Sequence, residues 1–201
     1  MNLNELKEYF SKFYQGKEDL KELDIDFSLE TAEFFKNLSK ELRKSFSSVV
    51  KVETKNKTFL VADPFLNLNP NIKDFSKIAS NTVFAAKNLL TETPKLAVLS
   101  AVELVNLNME SSIYGAVIEA MGKRKQLGKD IFAEGPLSMD VALSEKAAKE
   151  KKVLTDVAGQ ANVLLCHRTS IARGIVEALQ FVKKGKTETY ITDGKNIFKA
   201  V

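Results

Sequence analysis

Residues 134–165 read EGPLSMDVALSEKAAKEKKVLTDVAGQANVLL: a Gly-Pro turn, a short Ala/Lys helix, a second glycine turn and a small apolar strand. That order of turn, helix, turn and strand belongs to an α/β layer, whose ligands sit in the turns at strand carboxyl ends. The neighbouring sequence continues the alternation. VVKVETK from Val49 alternates, KTFLVADP predicts a short strand stopped by Asp63-Pro64, and Phe65 to Pro70 is loop-like. Ile72, Phe75, Ile78, Ala79, Val83, Ala86 and Leu90 recur at helical spacing, which predicts a helix over 72–90 ending near Pro94. LAVLSAV is a buried strand, 112–121 a helix ending near Gly122, and 129–133 a short strand. A helix over about 138–151, a strand over 161–165 and a helix over about 170–183 follow. Residues 188–191 and 197–201 close the chain as a hairpin across Asp193-Gly194. Strands alternating with helices predict a sheet that is at least partly parallel.

Residues 2–46 have a different texture and read as helical. Leu3, Leu6, Tyr9, Phe10 and Phe13 share one face until Gly16 breaks the pattern. Ser28 is placed to cap a second helix, with Thr31 three residues on and Leu29, Ala32, Phe35, Leu38, Leu42 and Phe46 along its face. These apolar faces read as core packing rather than a ligand site. The expected division is an N-terminal helical segment, 1–46, and an α/β domain, 47–201.

A chain of 201 residues with 44% apolar and 28% charged content can bury a substantial core. No apolar run approaches the roughly 20 residues that span a bilayer. The opening MNLNELKEYFSKFYQ carries acids early and lacks the apolar stretch of a secretory signal, so the expected setting is cytoplasmic, away from the membrane. A single cysteine, Cys166, and a single histidine, His167, exclude an internal disulfide and a cysteine- or histidine-based metal site. The net charge of +4 comes mostly from lysine, with only four arginines: Arg43, Arg124, Arg168 and Arg173. That balance suits anionic small molecules. Without Trp or an RNP-like aromatic motif, no nucleic-acid partner is expected.

Familiar nucleotide fingerprints are missing. GKRKQLGK, residues 122–129, has one residue too many for a phosphate loop, and Asp130 stands where Ser or Thr would hold magnesium, so it reads as a solvated lysine turn. Three other segments carry a resemblance: LAVLSAVELVNLNMESS (96–112), EGPLSMDVALSEKAAKEK (134–151) and DVAGQANVLL (156–165). With FLVADPFLNLNPNIKDFSKIASNTVFAAKNL before them, they resemble the phosphate acetyltransferase and phosphate butyryltransferase family, collinearly over about residues 58–165.

The resemblance implies an α/β layered sheet of the isocitrate/isopropylmalate-dehydrogenase-like, phosphotransacetylase type, here shortened and led by helices. It implies interconversion of acyl-CoA plus phosphate with acyl phosphate plus CoA, with coenzyme A as a substrate, no tightly bound cofactor, and a homodimer. The chain departs from the family pattern in several places. Glu134 replaces the aspartate of the family's DGPL motif. CHRTSIARG follows the 161–165 strand, putting His167 where the family has proline and Ala172-Arg173 where it has Gly-Asn. Nothing in ITDGKNIFKAV matches the family's later Ser-Arg motif.

Such a reaction needs anion-binding groups and a base that generates a thiolate. The candidate catalytic residues are Arg173, Ser170, His167 and Asp140, and no metal is expected. The candidate substrate and CoA contacts are Ser100, Glu103, Asn106, Glu134, Gly135, Pro136, Gly159 and Arg168. Gly135-Pro136, before Ser138 and Asp140, is expected to form a turn offering backbone N–H groups to an anion at a helix N-terminus. Each candidate has a plainer structural reading. Thr169 or Ser170 would cap a helix while the arginines face solvent, His167 would be a bonded structural histidine, and Cys166 a buried inert thiol. Glu134 and Asp140 would be a turn acid and a first-turn acid, Ser100 and Glu103 caps. Two other functions stay open: a non-catalytic acyl-CoA or acyl-phosphate binding relative or subunit, and an assembly protein acting through its N-terminal helices.

Overall fold

The structure, a computed structural model, describes residues 1–182 and 185–201. Seven strands form one mixed sheet: β1 (Ser47–Thr54), β2 (Thr58–Ala62), β3 (Lys95–Leu99), β4 (Phe132–Leu137), β5 (Val163–Cys166), β6 (Gly185–Thr192) and β7 (Ile197–Ala200). Their spatial order is β4-β3-β5-β2-β1-β6-β7. β4, β3, β5 and β2 are mutually parallel, while β1 pairs antiparallel with β2 and β6, and β6 with β7. This is the layered α/β sheet that the sequence implied.

The alternation of strand side chains sorts the core into two faces. Val50, Val61, Ala97, Leu99, Leu164 and Cys166 point to one side, where α5 (Met139–Leu143), α6 (Glu145–Glu150) and α7 (Thr169–Phe181) cover them through Val141, Ala148, Ala172 and Val176. Val49, Leu60, Ala62, Leu96, Val98, Val163 and Leu165 point to the other, under α3 (Ile72–Leu89) and α4 (Glu110–Lys123). Burial on both faces explains why β3 and β5 read as unbroken apolar runs, as parallel strands do.

A third cluster joins α1 (Leu3–Tyr14) and α2 (Leu29–Leu42) to the antiparallel end of the sheet. Leu6, Phe10, Phe35 and Phe46 pack against Ile191 and Phe198, with Phe10 edge-on to Phe35, Phe46 and Phe198 at centroid separations of 5.2–5.6 Å. Ser28 caps α2 as its position foretold, its hydroxyl accepting from Thr31 N at 3.2 Å.

Three elements differ from the sequence expectation. Residues 15–28 are not helical: the chain runs extended past β7, where Leu23 bridges Ala200. The helix expected over 138–151 is two short helices broken at Ser144, whose hydroxyl caps the second by accepting from Ala147 N. Gly135-Pro136 is no turn; it lies inside β4, the edge strand, where a missing N–H is tolerated and where the register against β3 shifts. The expected end of α7 at Lys183 lies outside the described residues, and the terminal hairpin across Asp193-Gly194 forms as expected.

Candidate functional site

The carboxyl ends of the four parallel strands, at Ala62, Leu99, Leu137 and Cys166, share one rim of the sheet. Loops from all four meet there, the place where open α/β sheets hold ligands. Asp63, buried directly after β2, sets the first loop. Its Oδ1 accepts from Ser48 N at 3.1 Å, Leu66 N at 3.1 Å and Phe65 N at 3.3 Å, and Asn67 Nδ2 and the Ser48 hydroxyl also bond to the carboxylate. The loop so fixed receives the start of α7: Thr169 Oγ1 donates to Asn67 O at 2.8 Å.

Arg168 occupies the N-cap position of α7, at the end of β5. Its Nη1 donates to Asn69 Oδ1 at 2.7 Å, and its Nη2 to Glu110 Oε2, the first residue of α4. Tyr114 Oη donates to the other oxygen of Glu110 at 3.1 Å. Beside them His167 is half-buried, its ring edge-on to Tyr114 at 6.4 Å, and its Nδ1 is a buried atom without a hydrogen-bond partner among the described residues. Burial, and then the charge of Arg168, push the imidazole below the ordinary histidine value. It is therefore neutral at physiological pH and carries a lone pair.

Across the rim a second polar group is built from the β3 and β4 loops. Ser138 Oγ bonds to Glu103 Oε1 and lies 2.5 Å from Asp140 Oδ1, while Lys151 Nζ reaches Glu103 at 3.1 Å, Ser138 at 3.1 Å and Asp140 at 3.2 Å. The Ser138 hydroxyl, with help from the Lys151 ammonium, holds both carboxyls below the usual carboxylate range. Between the groups, Ser100 Oγ and Ser111 Oγ are 2.9 Å apart, and Ser100 N donates to Leu137 O at 2.8 Å. Asn106 shapes the β3–α4 loop instead of facing it: its N donates to Ser112 Oγ at 2.9 Å and its carbonyl accepts back at 2.8 Å.

The structure therefore gathers His167, Arg168, Ser100, Glu103 and Asp140 at one rim. Ser170 is exposed on the first turn of α7, and neither it nor Thr169 caps the helix. Arg173 follows on the same helix but is held elsewhere, donating to Glu177 Oε1 at 2.7 Å and lying 5.7 Å from the Phe65 ring. Four candidates are not brought to this rim. Glu134 lies in mid-strand on the sheet edge, bonded by the Thr155 hydroxyl, and burial raises its carboxyl above the usual range. Gly135 and Pro136 serve packing: a Cβ at 135 would stand 2.8 Å from Val98 Cβ and 2.9 Å from Gly115 Cα, and one at 115 would stand 2.8 Å from Pro136 Cα. Gly159, with φ +77°, belongs to the turn before β5 at the opposite end of the strands, where a Cβ would be 2.6 Å from Glu145 Cα. Cys166 is buried, and burial pushes its thiol up to about 12.

Sequence reasoning missed Glu110, Asn69, Lys151 and Asp63. An arginine after a buried strand demands an acceptor, but the acceptors come from residues 58 and 99 positions away in the chain.

The chain matches the family model described as phosphate acetyl/butaryl transferase over residues 36–183. It is 36% identical to the phosphate butyryltransferase of Clostridium acetobutylicum over 173 residues, covering 83% of this chain and 54% of that one. It is 31% identical to the phosphate acetyltransferase of Thermotoga maritima over 148 residues, covering 74% and 50%. The chain thus spans about half the length of these curated relatives. Among solved structures, a branched-chain phosphotransacylase from Enterococcus faecalis superposes with a TM-score of 0.78 at 26% identity, over 97% of this chain and 70% of that one.

Proposed function

This chain belongs to the phosphate acetyl/butyryl transferase family, and we propose that it interconverts acyl-CoA plus phosphate with acyl phosphate plus CoA, acting on short acyl groups such as acetyl or butyryl. The observation that carries this reading is Arg168, fixed between Asn69 and Glu110 at the end of β5, with a neutral His167 beside it whose buried Nδ1 has no hydrogen-bond partner among the described residues. Towards the thioester, the CoA sulfur attacks the carbonyl carbon of the acyl phosphate, the C–S bond forms and the C–O bond to phosphate breaks. His167 takes the thiol proton at Nε2, since Nδ1 is buried and a neutral imidazole is a competent base near pH 7. The guanidinium of Arg168 receives the departing phosphate through N–H donors beyond the two already engaged, and Ser170 offers a hydroxyl to it. Glu103 and Asp140, kept ionised by Ser138 and Lys151, set the charge of the β3 and β4 loops on the same rim. Arg173, further along the same helix, attracts the anion without holding it, and Ser100 stands beside Ser111 at the end of β3. No tightly bound cofactor enters this scheme.

Thioester formation from CoA and acetyl or butyryl phosphate, followed by ultraviolet absorbance, tests the reading. Turnover is expected above a heat-killed control. Arg168→Ala is expected to lower kcat/KM by about 100-fold, the loss of roughly 2–3 kcal/mol that a charge-assisted anion contact contributes. Arg173→Ala should cost clearly less. A folded sample with no turnover, or equal losses in the two variants, would overturn the assignment.

A further inference from the structure

The opposite end of the parallel strands carries a second concavity. A groove of about 750 Å³ opens where β2, β3 and β5 begin, bounded by the β1–β2 hairpin and the turn that holds Gly159 and Gln160. Four lysines line it: Lys51, Lys55, Lys57 and Lys95. Lys51 is paired with Glu53 at 2.6 Å, and Lys95 donates to Gln160. Lys57 differs. It is half-buried, and among the described residues its ammonium has no ion-pair or hydrogen-bond partner. The acids that reach it, Glu92 and Glu145, act only through their fields, and Lys95 opposes them. Burial, the largest influence, pushes the amine below the ordinary lysine value. A lysine so placed, partly desolvated and without a partner in the groove, holds its proton less firmly than a fully solvated lysine.

The surroundings suit an anionic acyl donor. The lining carries four lysines against two acids, Glu92 and Glu145, and although Lys51 is engaged by Glu53, the positive excess left on Lys55, Lys57 and Lys95 can hold a phosphoryl group in a groove large enough for a small acyl phosphate. We propose that Lys57 is an acyl-acceptor site, modified by acyl phosphates that the lysine groove draws in, at the end of the sheet away from the catalytic rim. The Nζ lone pair attacks the carbonyl carbon, a C–N bond forms, and the C–O bond to phosphate breaks. Phosphate leaves with the bonding pair, and the nitrogen sheds one proton to solvent. The product is an uncharged acyl-lysine in a groove that has lost one positive charge, so the modification also weakens the groove's hold on further anions.

This site rests on the reading of acyl phosphate as a substrate or product of the protein, but its test does not require turnover, because the acyl phosphate is supplied. The intact protein would be incubated with acetyl phosphate and the rate of acetylation at each lysine read by peptide mass spectrometry. Lys57 should label several-fold faster than Lys146, whose side chain is 85% exposed. Lys57→Arg should abolish that label and leave the Lys146 rate unchanged. The double variant Lys51→Gln/Lys55→Ala should slow labelling of Lys57 by acetyl phosphate several-fold, and excess inorganic phosphate should do the same. Neither should slow labelling by an uncharged donor such as N-acetylimidazole. Labelling of Lys57 no faster than Lys146, or equal slowing with both donors, would overturn the proposal, whatever the outcome of the turnover assay.

Discussion

At the scale of single residues, environment decides chemistry. His167 and Cys166 are adjacent, yet burial pushes the imidazole of one below its ordinary value and raises the thiol of the other to about 12. Because the folded state lowers the His167 value below that of the unfolded chain, the unfolded state binds the extra proton first. The stability tied to the neutral ring is complete above the unfolded value, near 6.5, and is lost as pH falls through the folded one. The stability difference between wild type and His167→Gln is therefore expected to shrink from pH 7 towards pH 5, by less than about 1.4 kcal/mol per unit because the ring is only half-buried. Denaturant melts across that range would show it, and a pH-independent difference would count against a neutral His167. The identity of His167 as a candidate was legible in the sequence, since it follows an apolar strand. Its burial was not, because the residues that enclose its ring, Tyr114 among them, lie elsewhere in the chain.

At the scale of elements, two glycines act in opposite ways. Gly135 allows α4 to lie against β4, backbone to backbone, and an added methyl would stand within 2.9 Å of both Val98 and Gly115. Gly135→Ala is expected to cost about 1–3 kcal/mol, the usual penalty of overpacking. Gly174 sits on the exposed face of α7 with nothing within 4 Å of an added Cβ, and Gly174→Ala should stabilise by about 0.5–1 kcal/mol. Thermal melts of the two variants should move in opposite directions; a shared direction would refute the packing role of Gly135. A Gly-Pro pair in isolation reads as a turn, and local chemistry alone supports that. Only pairing with β3 makes it a strand, with Pro136 accepted because β4 is the edge strand of the sheet among the described residues.

At the scale of the molecule, the N-terminal helices complete the antiparallel end of the sheet. Phe10, Phe35 and Phe46 share one cluster with Ile191 and Phe198, and each fully buried aromatic contributes about 1.5–3 kcal/mol through area removed from water. Deleting residues 1–46 would expose Phe198 and Ile191 together. The truncated chain is expected to melt at a clearly lower temperature and to bind a hydrophobic dye that the full chain does not. Unchanged stability on truncation would mean that the α/β part stands alone, as a division at residue 46 suggests.

Hydrophobic period, helix caps and strand runs are local signals, and they determined the alternation of elements, the layered α/β class and the family to which the chain belongs. The apolar run over 161–165 read as a strand and Ser28 as the start of a helix from local signals alone, and the structure forms them as β5 (Val163–Cys166) and α2. The composition of the rim is not local. Arg168 meets Glu110 and Asn69, and Lys151 meets Glu103, only because parallel strands align their carboxyl ends and bring loops far apart in the chain together. The same alignment moved Gly159 to the other end of the sheet and placed Lys57 beside Lys95. Tertiary structure decided which charges are neighbours, because Coulomb interaction and burial depend on distance in space and not along the chain.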